Sequence, residues 1–207
     1  MLSIKKDNFL IIIMVASIFS YIFCNFFILF KRTVFNGFTF DISNFLFPIL
    51  YITSDLIQEV YGYEKSRLAA KLTIIGQTTF ALLCFISLKF FSIVWLSDAE
   101  NKIINDNILA NIASIITVAS IISYYIGDWV NDIIFKKLNN NKDSLIDYSK
   151  RAFISSLVEK VIDAGIFNLL LIFLPNSEFT FKLIILPILL EVLVEFLFLP
   201  LSYKIII

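Results

Sequence analysis

The chain runs to 207 residues, 59% of them hydrophobic, with a mean hydropathy of +0.88 that belongs in a bilayer rather than in water. Seventeen basic residues balance seventeen acidic ones, so no polybasic segment argues for nucleic acid, and the absence of histidine removes imidazole metal sites, Ser-His-Asp catalysis and histidine proton relays. The length accommodates one membrane domain without a separate soluble one.

Six apolar segments follow one another, at about 9–30, 43–60, 68–96, 108–130, 152–174 and 181–203. The first is 22 residues long, enough to span roughly 30 Å at about 1.5 Å per residue. Lys5 and Lys6 precede it, and its apolar core is too long for a signal peptide, so it reads as a retained helix. The second is short, with Pro48 near its start and Asp55 and Glu59 near its end; it reads as a full span or a partly re-entrant helix. The third is long enough to tilt. Polar linkers at 97–107 and 136–150 separate the later segments, and nothing reads as a strand. Cys24 and Cys84 lie in apolar runs and read as small core or lipid-facing residues, not as a disulfide or metal pair.

Loop charges set the expected orientation. With the N-terminus inside, cytoplasmic segments hold Lys5, Lys6, Lys65, Arg67, Lys136, Lys137, Lys142, Lys150, Arg151 and Lys204. Outer loops hold only Lys31, Arg32, Lys102 and Lys182. The expected fold is an all-α integral membrane protein, a bundle of six transmembrane helices with both termini cytoplasmic.

Three pairs of carboxylates four residues apart interrupt the apolar segments: Asp55/Glu59, Glu159/Asp163 and Glu191/Glu195. That spacing places each pair on one helix face. A charge at the centre of a lone membrane helix costs at least about 2.5–3.5 kcal/mol, so these faces are expected to look into the bundle and to mark a functional site. Asp163 lies midway along the fifth segment, and Glu191 and Glu195 straddle the middle of the sixth, the costliest positions in the chain. Asp55 and Glu59 also admit an interfacial reading, and Asp128 and Asp132, closing the fourth segment, read more readily as facing headgroups or cytosol. Carboxylates can hold a cation, carry a proton, or accept paired N–H donors from a planar ligand. A guanine-like edge offers such a pair in its N1–H and exocyclic amine. Tyr51, Tyr61, Trp129 and Phe167 lie near the acids as candidate stacking surfaces, although with 23 phenylalanines in the chain the aromatic signal is mostly core packing.

The stretch from Phe47 to Tyr63, with Pro48, Tyr51, Asp55, Glu59-Val60-Tyr61-Gly62 and a following Arg67, resembles the queuosine precursor transporter family, also called vitamin uptake transporters. Gly127-Asp128 with Asn131 resembles its fourth-helix motif, Arg151, Ser155, Asp163 and Phe167 its fifth-helix pattern, and Glu195 with Pro200 and Tyr203 its closing motif. The resemblance covers about 44–203. It implies an inner-membrane carrier for 7-deazaguanine precursors of queuosine, the 7-cyano or 7-aminomethyl base or queuine itself, with six helices and no ATPase of its own. It marks Tyr51, Asp55, Glu59, Asn131, Asp163 and Glu195 as substrate-pathway residues. Two positions depart from the family pattern: Lys160 stands where Gln, Asn or Glu is usual, and Glu191 where Lys is usual. A reciprocal swap preserves a pair, so Lys160 and Glu191 are expected to form a structural ion pair across the last two helices.

The reading that results is a non-enzymatic carrier without a cofactor or metal, in contact with membrane lipid and a small deazapurine but not with nucleic acid. The alternatives are a carrier of another purine-like or cationic solute, or a structural membrane subunit whose acids are all paired. An ion channel and an intramembrane enzyme rank below these.

Overall fold

Backbone groups inside a bilayer have no water to bond, so long apolar runs fold as helices that satisfy their own N–H and C=O groups. A computed structural model of the chain describes residues 6–28, 33–35, 38–40, 43–94, 112–138, 144–171 and 182–206. Among them are six helices: α1 (Lys6–Ile28), α2 (Ser43–Tyr61), α3 (Tyr63–Val94), α4 (Ile112–Lys137), α5 (Leu145–Leu171) and α6 (Lys182–Ile206). The expected helix ends at 29–30, 95–96, 108–111, 172–174 and 181 lie outside the described residues, as do the linker 97–107 and the loop charges Lys5, Lys31, Arg32, Lys102 and Lys142.

One element was not foreseen. Strands β1 (Thr33–Phe35) and β2 (Phe38–Phe40) pair antiparallel, Thr33 opposite Phe40 and Phe35 opposite Phe38, and β2 lies against α6. Three residues per strand are too few for alternation to register. The intervening sequence, Asn36-Gly37, is nonetheless the pair that favours two-residue hairpin turns.

Helices α4 and α5 extend beyond their apolar runs into the lysine-rich segment between them. Hydropathy ends where the membrane-facing surface ends, whereas the backbone continues to the next capping signal. For α5 that signal is Ser144, whose Oγ accepts from the Asp147 amide at 3.1 Å while donating to the Asp147 carboxylate at 2.6 Å, a form of capping box. Between α2 and α3 the chain turns on Gly62, at φ +85°, with its amide donating to the Gln58 carbonyl at 3.0 Å. This left-handed position suits glycine, and α3 starts one residue later.

Burial is inverted relative to a water-soluble protein. Ile75, Phe196 and Leu197 are among many large apolar residues that face outward, while most of the buried side chains are polar or charged. Three of the helices contain a segment long and apolar enough to cross a membrane, Asn8–Asn25, Tyr63–Ser87 and Ile185–Lys204. An apolar exterior of this extent fits lipid as the surrounding medium. Apolar clusters are correspondingly small: Ile13, Met14, Ile57 and Ala69 join α1, α2 and α3, and Phe135, Tyr148, Ala152 and Leu199 join α4, α5 and α6.

Hydrogen bonds between helices supply much of the remaining specificity. Ser17 donates to Thr53 at 2.8 Å, and Tyr21 bonds Ser120 at 3.0 Å. Helix α2 contacts all five other helices, which places its polar face at the centre of the bundle.

Candidate functional site

Four helices bring acidic, amide and aromatic side chains to that central face. On α2, Asp55 is 1% exposed; its Oδ1 accepts from Asn131 Nδ2 of α4 at 2.9 Å, and its Oδ2 from Ser156 of α5 at a longer 3.4 Å. One turn earlier, Tyr51 donates its hydroxyl to Asp163 of α5 at 3.0 Å. Lys160 of α5 lies 4.3 Å from the Tyr51 ring centroid, within cation–π range, and its ammonium pairs with Glu195 of α6. Five of the six residues expected on the substrate pathway, Tyr51, Asp55, Asn131, Asp163 and Glu195, therefore gather in one place. The acceptor capacity of the group is not exhausted, because Asn131 Oδ1 and Glu195 Oε1 are buried without a hydrogen-bond partner.

Glu59, the sixth, stands apart. One turn beyond Asp55 toward the Gly62 end of α2, it accepts from Arg151 of α5 at 2.5 Å and is partly exposed.

The expected Lys160–Glu191 pair is replaced by Lys160–Glu195. Glu191 instead accepts from Asn44, near the start of α2, at 3.1 Å. Glu191 and Glu195 occupy the same face of α6 one turn apart, so spacing alone leaves the choice of partner open. The depth at which α5 and α6 are packed decides it.

A second polar cluster contradicts the expectation for Asp128 and Asp132. Both are 0% exposed, turned into the bundle rather than toward headgroups. Arg67 of α3 reaches both, at 2.5 Å and 3.0 Å. Ser54 of α2 donates to Asp128 and Ser66 of α3 to Asp132, each at 2.8 Å, and Gln58 donates to the Asp132 carbonyl at 2.7 Å. The sequence offers two aspartates on one helix face and one arginine in the first turns of another helix, but only the packing shows that they meet. Arg67 and Arg151 are thus buried partners of acids and not loop charges, which removes both from the orientation argument.

Among the other candidates, Trp129 is 47% exposed and faces out of the bundle, so it offers no stacking surface to the site. Cys24 is buried and Cys84 half-buried, and the two are not joined in a disulfide. Ser156, a ligand of Asp55, had no distinguishing sequence signal, since serine is common in membrane helices. Glu159, the other member of the pair with Asp163, has no counterpart in the family pattern and is fully buried, as its helix face required.

No curated protein and no solved structure matches the chain with significance. The model of the family described as "Putative vitamin uptake transporter" matches residues 41–205. That span runs from the start of α2 to the last turns of α6 and contains every residue of both clusters; the chain belongs to this family.

Proposed function

We propose that the protein is a multi-pass carrier of the cell inner membrane that imports a 7-deazaguanine precursor of queuosine for tRNA modification. In this reading all six helices span the bilayer and both termini are cytoplasmic. The observation that carries it is the environment of Asp55: a carboxylate at the centre of the bundle that takes two donors side by side, from Asn131 and Ser156. A planar guanine-like edge presents the same two-donor pattern through its N1–H and exocyclic amine. Exchange of protein donors for substrate donors leaves the acid satisfied in both states, so loading does not strand a buried charge. The released Asn131 amide retains both donor and acceptor capacity for the ring. Tyr51 adds an aromatic face, and Asp163 and the Lys160–Glu195 pair border the same space.

The test is complementation. A strain unable to make the deazapurine base, and lacking its own carrier, is supplied with the 7-cyano base, the 7-aminomethyl base or queuine, and queuosine in its tRNA is measured. Rescue by one of the three is expected. Asp55→Asn, which keeps the shape but replaces one acceptor oxygen by a donor, is expected to lower rescue by about tenfold or more, corresponding to about 1.4 kcal/mol or more of lost recognition. Absence of rescue by all three bases, with the protein shown to reach the membrane, would overturn the assignment.

A further inference from the structure

The substrate face accounts for Asp55, Asp163 and Glu195, while Glu59, Asp128, Asp132 and Glu191 have partners elsewhere, which leaves Glu159. Glu159, one turn before Asp163 on α5, is 0% exposed, and both of its carboxylate oxygens are out of contact with solvent and without a hydrogen-bond partner. The backbone of α4 presses on its stem: a Cβ at Gly127 would lie 3.4 Å from Glu159 Cγ and 3.2 Å from Asp163 Cβ. The carboxyl group is held in place by packing, with no cation fixing it.

The surrounding groups do not supply one. Asp128 and Tyr124 face it from α4, Asp55 and Tyr51 from α2, and Lys160 and Asp163 from its own helix. Of the basic residues, Lys160 pairs with Glu195 of α6, Arg67 of α3 with Asp128 and Asp132, and Arg151 of α5 with Glu59. The remaining acid on α6, Glu191, takes the Asn44 amide. An ionised carboxylate here would be buried, surrounded mainly by other acids and without a donor, which is costly by several kcal/mol. Among the described residues no three Asp, Glu, Cys or His side chains converge closely enough to hold a metal ion. The occupant that such a site accepts is a proton, which needs a single oxygen and no coordination shell.

We infer that Glu159 is the proton-carrying residue of the transporter, coupling substrate uptake to a transmembrane proton gradient. The inference rests on the carrier reading above and supplies its energy source. A proton from the outer side adds to a Glu159 oxygen, forming a neutral carboxylic acid. The bundle then changes access with substrate on the α2 face, and the same proton leaves to the inner side, restoring the carboxylate. No electrons move, and one proton enters per cycle. Asp163 links the two places: it shares a helix face with Glu159 and accepts from Tyr51 of the substrate face.

The purified protein in lipid vesicles provides the test, with each of the three labelled bases as probe. Counterflow exchange without a gradient reports carrier activity, and accumulation under an outside-acid gradient reports coupling. Wild type is expected to accumulate base about tenfold per pH unit for one proton per substrate. Glu159→Gln, an uncharged mimic of the protonated acid, is expected to exchange within about threefold of wild type while its gradient-driven accumulation falls to the level without a gradient. A Gln variant that still accumulates under the gradient would overturn the inference. So would wild type that exchanges but ignores the gradient. If wild type exchanges none of the bases, the carrier reading fails by itself, and infrared spectroscopy decides on Glu159. A carboxylic-acid carbonyl band that titrates with pH and is missing in Glu159→Gln supports a proton site there, and its absence in wild type overturns one.

Discussion

Lys160 shows how a single side chain can be read correctly in kind and wrongly in partner. Its charge inside an apolar run demanded a buried acid, and two acids one turn apart on α6 met that demand equally well on sequence. The structure gives the ammonium to Glu195 and places the Tyr51 ring against it. Lys160→Met should leave Glu195 buried without its cation and lower stability by about 3–5 kcal/mol. Adding Glu195→Gln should recover most of that loss, whereas adding Glu191→Gln should not, as read by thermal melting in detergent. Equal recovery by both would restore the Glu191 pairing. The candidate site itself was legible residue by residue, because Asp55, Asp163 and Glu195 each interrupt apolar sequence at a cost that lipid does not permit. Ser156 was not legible, since a hydroxyl can bond its own helix and carries no such penalty.

At the scale of elements, close helix approach depends on glycines whose role the sequence does not reveal. A Cβ on Gly76 of α3 would come within 2.6 Å of Ile18 Cγ2 on α1, so either the branched Ile18 side chain or the helices would have to shift. Gly76→Ala should destabilise the bundle by about 1–3 kcal/mol through overpacking. Combining it with Ile18→Ala, which removes the opposing methyl, should return much of the loss, again by melting in detergent; a double variant no better than the single would place the strain elsewhere. Helix existence followed from apolar runs, but helix length did not. α4 runs past the end of its expected apolar segment and α5 starts before its own, because helical bonding and caps such as Ser144 bound a helix, and lipid contact does not. The Arg67 cluster makes the same point for polar faces. Ser54, Ser66, Arg67, Asp128 and Asp132 come from three helices, and each is unremarkable until the others are placed beside it.

For the molecule as a whole, the inverted surface is the dominant fact: apolar residues outside, ion pairs and amides within. The proposed orientation predicts that a fluorescent protein fused after Ile207 is bright and that alkaline phosphatase fused there is inactive, both reporting a cytoplasmic C-terminus. The opposite pattern would invert the topology. Withdrawing Arg67 and Arg151 from the loops leaves Lys5, Lys6, Lys65, Lys136, Lys137, Lys142, Lys150 and Lys204 on the proposed cytoplasmic side, and the orientation now rests on these lysines.

Composition, run length and the cost of charge in lipid were enough to establish a helical membrane protein with acids turned inward, because those are local consequences of the medium acting on each segment. The family signature added which acids to watch. Tertiary structure alone decided which charges meet: that Lys160 takes Glu195, that Asp128 and Asp132 share Arg67, and that Glu159 takes none. Pairing depends on the depth and rotation at which two helices pack, and a shift of one turn exchanges one acid for the next. Periodicity along a single helix cannot encode that choice.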